Sequence, residues 1–149
     1  MTYRRQQTVL FRHCDPARIV FFPRYFEMIN DLFEAWLEDC GWSFAMLHEE
    51  RHEGVPTLET SARFVRPCRL GEVLDLSLDV TKVGGASFEL AFHAHCGGEL
   101  RWSAASKLVY VSNDGTTIKS KRIPDALRAQ MLRELAACES YKDGGRTYD

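Results

Sequence analysis

The sequence predicts an α+β domain in which one long helix lies against an antiparallel sheet. Two patterns carry this. From Pro23 to Cys40 apolar residues recur at helical spacing, at Tyr25, Phe26, Ile29, Leu32, Phe33, Trp36 and Leu37, a stripe broad enough to need burial along its length. Between Thr57 and Val111 four segments alternate apolar and polar residues, and two of their three joints are Gly-Gly pairs. That is the pattern of hairpin-linked strands with one wet face.

Taken in order, Tyr3 to Phe11 is a weakly alternating strand. Cys14-Asp15-Pro16-Ala17 is a turn, because Asp accepts backbone hydrogen bonds and Pro fixes φ. Pro23 suits the first helical turn, where its missing N–H would be unpaired, and Gly41 supplies the stop. Trp42 to His48 is read as a short second helix, and Glu49 to Gly54 as a polar loop. The four strands are Thr57–Val65, Val73–Val83, Ser87–Cys96 and Leu100–Val111. In the first, Leu58, Ala62 and Phe64 face inward with Thr60 among them. In the last, Trp102, Ala104, Leu108 and Tyr110 share a face. Asn113-Asp114-Gly115 ends the run, and Ile123-Pro124-Asp125 opens a closing amphipathic helix with Leu127, Met131 and Leu135 aligned. Residues 140–149 form a polar, fraying tail.

At 149 residues the expectation is one domain, 1–149, with one substantial core. A net charge of −2 gives no footprint for nucleic acid. No apolar run approaches the ~18 residues that span a bilayer, and the basic MTYRRQQT start has no apolar segment behind it, so neither membrane nor secretion is expected. Five scattered cysteines without a C-x-x-C pair point to reduced thiols and a cytoplasmic setting, with neither a disulfide framework nor a zinc site. His93 and His95 share a strand face, but no third ligand accompanies them, so a polar outer face is expected there rather than a metal.

The run His13-Cys14-Asp15-Pro16-Ala17-Arg18-Ile19-Val20-Phe21-Phe22-Pro23-Arg24-Tyr25 resembles the signature of the 4-hydroxybenzoyl-CoA thioesterase-like acyl-CoA thioesterases. In that family D-x-A/P-G-x-V-aromatic-aromatic-P/A-x-Y crosses a loop into the central helix. Phe64-Val65-Arg66-Pro67 with Leu70-Gly71-Glu72-Val73-Leu74 is similar to the family's second recurring stretch. The resemblance implies the hotdog fold, a curved antiparallel sheet wrapped around a long central helix. It implies hydrolysis of an aromatic or short-to-medium acyl-CoA, with coenzyme A as part of the substrate and no other cofactor. It also implies homodimers, commonly paired into homotetramers, with sites between subunits. Two features depart from the pattern. Arg18 stands where the family has Gly, and the Gly84-Gly85-Ala86 hairpin lacks a basic cluster for the CoA phosphates, leaving Lys82, Arg101 or a neighbouring subunit to supply the charge.

Thioester hydrolysis needs a carboxylate near the carbonyl carbon and donors for the developing oxyanion. Asp15, just before a helix whose first N–H groups are unpaired, is the candidate carboxylate. By resemblance, the Phe22 N–H polarises the carbonyl, and Asp15 either attacks directly or activates water; both routes stay open. By the same match Asn30 lines the acyl pocket; independently of it, Thr60, a polar break in an otherwise apolar inward face, is a candidate to touch substrate. Each has a plainer reading: a turn residue for Asp15, a solvated position for Asn30, a satisfied hydroxyl for Thr60. His13 is read as an exposed strand-end residue, Glu59 as an outer-face charge, and Phe21, Trp36 and Trp42 as core or pocket aromatics. A non-catalytic acyl-CoA-binding module and a thioesterase acting on carrier-protein thioesters are the alternatives. A hydratase of this fold would need a pocket histidine that neither helix carries.

Overall fold

The computed structural model describes residues 2–143, with side chains from 2 to 137. The strands are β1 (Tyr3–Thr8), β2 (Glu53–Gly54), β3 (Thr57–Phe64), β4 (Val73–Val83), β5 (Ser87–Cys96), β6 (Glu99–Val109), β7 (Val111–Asn113) and β8 (Ile118–Ser120). The helices are α1 (Pro23–Asp39) and α2 (Asp125–Asp143). A five-stranded antiparallel sheet runs β1-β4-β5-β6-β3, and a three-stranded sheet runs β2-β7-β8.

Helix α1 starts on Pro23 without a side-chain cap. It stops in a Schellman arrangement, with Gly41 N–H donating to Glu38 O and Trp42 N–H to Leu37 O, both at 2.9 Å. Gly41 has φ +88°, which a side chain would resist. The predicted stripe is the buried one: Tyr25, Ile29, Leu32, Phe33, Trp36 and Leu37, with Met28. Phe26, at 38% exposure, stays at its margin. The helix crosses the sheet obliquely. Near its start Tyr25 stacks on Phe64 of β3 and tilts on Trp102 of β6, while Trp36 and Phe33 meet Phe88 of β5. At its end Asp39 accepts from Tyr3 of β1. Each such side chain removed from water contributes roughly 1.5–3 kcal/mol. The hotdog arrangement expected from the resemblance is the one observed.

Several boundaries move. β1 stops at Thr8, and Phe11–His13 is a 3-10 turn. The second helix runs over residues 44–50, and Met46–Glu50 is a π-helix. The predicted fourth strand is two, because the chain leaves one sheet for the other at Tyr110, and the Asn113–Gly115 turn leads into β8. In β3 a bulge between Thr57 and Glu59 turns Thr57 inward and leaves Leu58 at 60% exposure, reversing the expected direction of Leu58. The charged loop is half wrong: Glu53 is 2% exposed and accepts from Arg51 Nε (2.5 Å), Tyr110 OH (2.9 Å) and Lys121 Nζ. Leu127 and Met131 of α2 are fully buried. The tail assigned to residues 140–149 is helical to Asp143, and 144–149 lie outside the described residues. Among the described residues no helix is long and apolar enough to cross a membrane.

Candidate active site

The Asp15 stretch is a small hairpin. Arg18 N–H donates to Asp15 O at 2.9 Å, and Asp15 N–H donates to Ile19 O at 3.0 Å. This is a three-residue loop with a G1-type bulge, in which the bulged residue takes the left-handed conformation. That residue is Arg18, at φ +67°, which explains why the family pattern puts Gly there. Asp15 Oδ1 accepts the Ala17 N–H at 2.8 Å, and Pro16 presets the turn, so the plain turn reading of Asp15 is correct as far as it goes. Its Oδ2 accepts no hydrogen bond among the described residues.

The hairpin is tied down on both sides. Phe21 N–H donates to His13 O, and Val20 N–H to Cys68 O, both at 2.9 Å. It delivers the chain to α1 with the Phe22 N–H making no hydrogen bond among the described residues, where the helix end is electropositive. His13, expected at the surface, is 3% exposed. Its Nδ1 accepts the Leu10 N–H at 2.9 Å, closing the 3-10 turn on itself. Burial, then the charges of Arg12 and Arg24, push its pKa below the ordinary value, consistent with a ring nitrogen committed as acceptor.

Asn30 and Thr60 come together. They line a cavity of about 210 Å³ with Phe26, Ile29, Phe33, Thr57, Phe92, Ser106 and Leu108, between α1 and the β3–β6 end of the sheet. Thr60 Oγ1 and Ser106 Oγ are 3.0 Å apart, paired across strands in register. Asp15 and Phe22 do not line this cavity within one chain. Aromatic contacts connect the two regions: Phe22 and Phe26 each lie 6.3 Å from Phe64. Ser106 and Thr57 were missed. Ser106 had a sequence signal, as the polar break in the inward series Trp102, Ala104, Leu108; Thr57 had none, since only the bulge turns it inward.

The other candidates separate from this region. Arg101 is not free for a phosphate: Nη1 and Nη2 grip Glu72 at 2.9 and 2.7 Å, and Nε lies 2.8 Å from Glu99. Glu72 is thereby held down to about 2, chiefly by Arg101 and further by the Arg69 N–H and Cys96, against the opposing effect of burial. At the Gly84–Ala86 hairpin all three carbonyls are used, by Arg128 Nε, Ile123 N–H and Tyr110 N–H respectively. Trp36 is core, donating to Glu134, while Trp42 packs under the Arg51 guanidinium. Glu59 lies opposite Lys107. His93 and His95 stack 6.4 Å apart on β5, and no group of three potential metal ligands occurs among the described residues. Cys14, Cys40, Cys68 and Cys96 are free thiols.

Comparison with known proteins agrees with this architecture. The chain is 26% identical over 135 residues to a 1,4-dihydroxy-2-naphthoyl-CoA hydrolase of Gloeothece citriformis (strain PCC 7424), covering 90% of this chain and 94% of that one. It is 26% identical over 127 residues to the 4-hydroxybenzoyl-CoA thioesterase of Pseudomonas sp. (strain CBS-3), covering 80% and 89%. Among solved structures, a 1,4-dihydroxy-2-naphthoyl-CoA thioesterase from Synechocystis superposes with a TM-score of 0.81 at 19% identity, covering 89% and 96%. The Pseudomonas enzyme superposes with a TM-score of 0.78 at 25% identity, covering 87% and 98%. Residues 9–131 match the model of the thioesterase-like superfamily, and the chain belongs to that family.

Proposed function

We propose that the protein hydrolyses an acyl-CoA thioester, with Asp15 as its carboxylate and the acyl group held against Asn30 and Thr60. The chain is a thioester hydrolase by family; the acyl group and the residue roles are the proposal. The observation that carries it is the hairpin: a carboxylate with one oxygen unspent, seven residues before a helix-start N–H that is also unspent. The Phe22 N–H stabilises the oxyanion, an effect worth roughly 10²–10³ in rate. Asp15 either attacks the carbonyl carbon, expelling CoA thiolate and leaving a mixed anhydride that water cleaves, or takes the proton of the attacking water.

The cavity supports a compact acyl group with a polar substituent. Its walls include Phe26, Phe33 and Phe92, and its polar groups, Asn30, Thr57, Thr60 and Ser106, are all neutral. A hydroxylated aromatic acid suits both. The relatives above are named for the CoA thioesters of two such acids, while the absence of a carboxylate from this lining favours acyl groups that need no anionic partner.

A second copy of the chain completes the site in this reading. β3 is a sheet edge and nearly all exposed, its last residue Phe64 at 45%, and Phe21 and Phe22 next to it are 49% and 56% exposed. An edge of that kind is ordinarily covered by association. Light scattering should give a dimer or tetramer.

The test is thiol release from a panel of aromatic and aliphatic acyl-CoAs, with Asp15→Asn alongside. Release from one class should fall by ~10²–10⁴ in the variant. Undiminished release would remove Asp15 from the mechanism. Binding without release by the wild type would favour the non-catalytic module.

A further inference from the structure

We infer that Arg69, with Arg18 beside it next to the Ile19–Arg69 bridge, binds a phosphate of the coenzyme A or phosphopantetheine part of the substrate. This rests on the thioester reading above and names how its anionic end is held. Two isolated bridges extend the Asp15 hairpin by a third segment: Cys14 pairs with Val20, and Ile19 pairs with Arg69. Residues opposite one another in antiparallel pairing share a face. Cys14, Val20 and Cys68 therefore take one face and Asp15, Ile19 and Arg69 the other. Val20 and Cys68, at 5% and 0% exposure, mark the first as inward. The second faces outward, with Arg69 exposed and Asp15 and Ile19 half-buried. Two strand spacings, about 10 Å, separate the Asp15 and Arg69 backbones.

Arg69 is fixed without being neutralised. Its N–H donates to Glu72 Oε1 at 2.6 Å and its carbonyl accepts the Glu72 N–H at 3.1 Å. The Glu72 carboxylate is already gripped on both oxygens by Arg101. Among the described residues the side chains of Arg69, Arg18 and Arg12 make no ion pair and no hydrogen bond. Three unspent guanidinium groups thus border the hairpin that bears Asp15. A guanidinium fork matches phosphate oxygens, and phosphate is the anion every CoA or phosphopantetheine thioester brings. The Gly84–Ala86 hairpin carries no cation among its own three residues; Arg128 beside it is engaged through Nε with the Gly84 carbonyl, and Lys82 lies opposite Glu89.

Calorimetric titration of wild type and Arg69→Gln with coenzyme A, 4′-phosphopantetheine and pantetheine tests the assignment, with light scattering and acyl-CoA hydrolysis alongside. Arg69→Gln should weaken coenzyme A roughly 10- to 100-fold, flatten the salt dependence, and leave pantetheine and the oligomer unchanged. Equal weakening of 4′-phosphopantetheine places the contact on the phosphate shared with carrier proteins; weakening of coenzyme A alone places it on the nucleotide. Arg18→Gly should give a smaller loss of the same kind. Unchanged coenzyme A affinity, or pantetheine weakened equally, overturns the assignment. So does a wild type that binds no coenzyme A, or an altered oligomer at unchanged affinity. Arg69-dependent binding without hydrolysis would leave this site standing and remove the catalytic reading instead.

Discussion

Replacing Glu72 by Gln should make the protein less stable at neutral pH and less sensitive to acid. The Glu72 carboxyl is held from its ordinary 4.5 down to about 2, because the folded state supplies Arg101 on both oxygens. A folded-state value below the unfolded one means the unfolded chain takes up the proton first as pH falls. The stabilisation is therefore complete above 4.5 and lost as pH falls from there to about 2. A displacement of that size corresponds to roughly 3 kcal/mol. The Glu72 side chain is 25% exposed, and solvent screening brings the expected figure to about 2 kcal/mol. Urea unfolding at pH 7 and pH 3 measures it. By pH 3 wild type should have lost more than half of that amount beyond the background of the other carboxylates, whereas Glu72→Gln should have lost it already at pH 7. Equal acid slopes in the two proteins would show that the Arg101 pair does not stabilise the fold.

Arg18→Gly should raise stability by about 0.5–1 kcal/mol, the left-handed strain of a side chain less the extra unfolded-state freedom of glycine; a lower urea midpoint would refute the bulge geometry. His13, whose pKa is lowered by burial first, contributes stability that is full above 6.5 and lost as pH falls through its folded value. An NMR titration should find its midpoint below the ordinary histidine value, and His13→Asn should remove the slope of stability below 6.5; titration at the ordinary value would contradict the buried acceptor. Thr60→Val and Ser106→Ala should each cost about 1 kcal/mol but couple by ~0.5–1.5 kcal/mol in a double-mutant cycle, and a coupling near zero would mean that the 3.0 Å contact is not a bond that matters.

Period was legible and position was not. Val73–Val83 and Ser87–Cys96 alternate so regularly that both strands begin and end where expected, and the α1 stripe named its buried face. The resemblance singled out Arg18 as a non-glycine where the family has Gly, and the structure places it in left-handed backbone. What failed depended on pairing between distant segments. The alternation of Leu58 was sound until a bulge against β6 inverted it. Glu53 looked like solvent-facing charge because its partners Tyr110 and Lys121 lie 57 and 68 residues away. Arg101 looked available for a ligand until Glu72 was found across the sheet. The hairpin's facing row of Asp15, Ile19 and Arg69 was invisible for the same reason: nothing in the letters joins residue 19 to residue 69.

Tyr110 is the point where one chain segment belongs to two sheets, and this sets how the molecule opens. Its N–H goes to Ala86, its carbonyl takes Lys121 N–H, its hydroxyl donates to Glu53, and its side chain is fully buried. A three-stranded sheet with two- and three-residue strands would, alone, fray on the timescale of loop motion. Bolted through Tyr110 into the long hairpin, it is expected to open with that hairpin rather than alone. Its amides should exchange with solvent only as slowly as those of β5 and β6, so the two sheets constitute one unit of cooperativity.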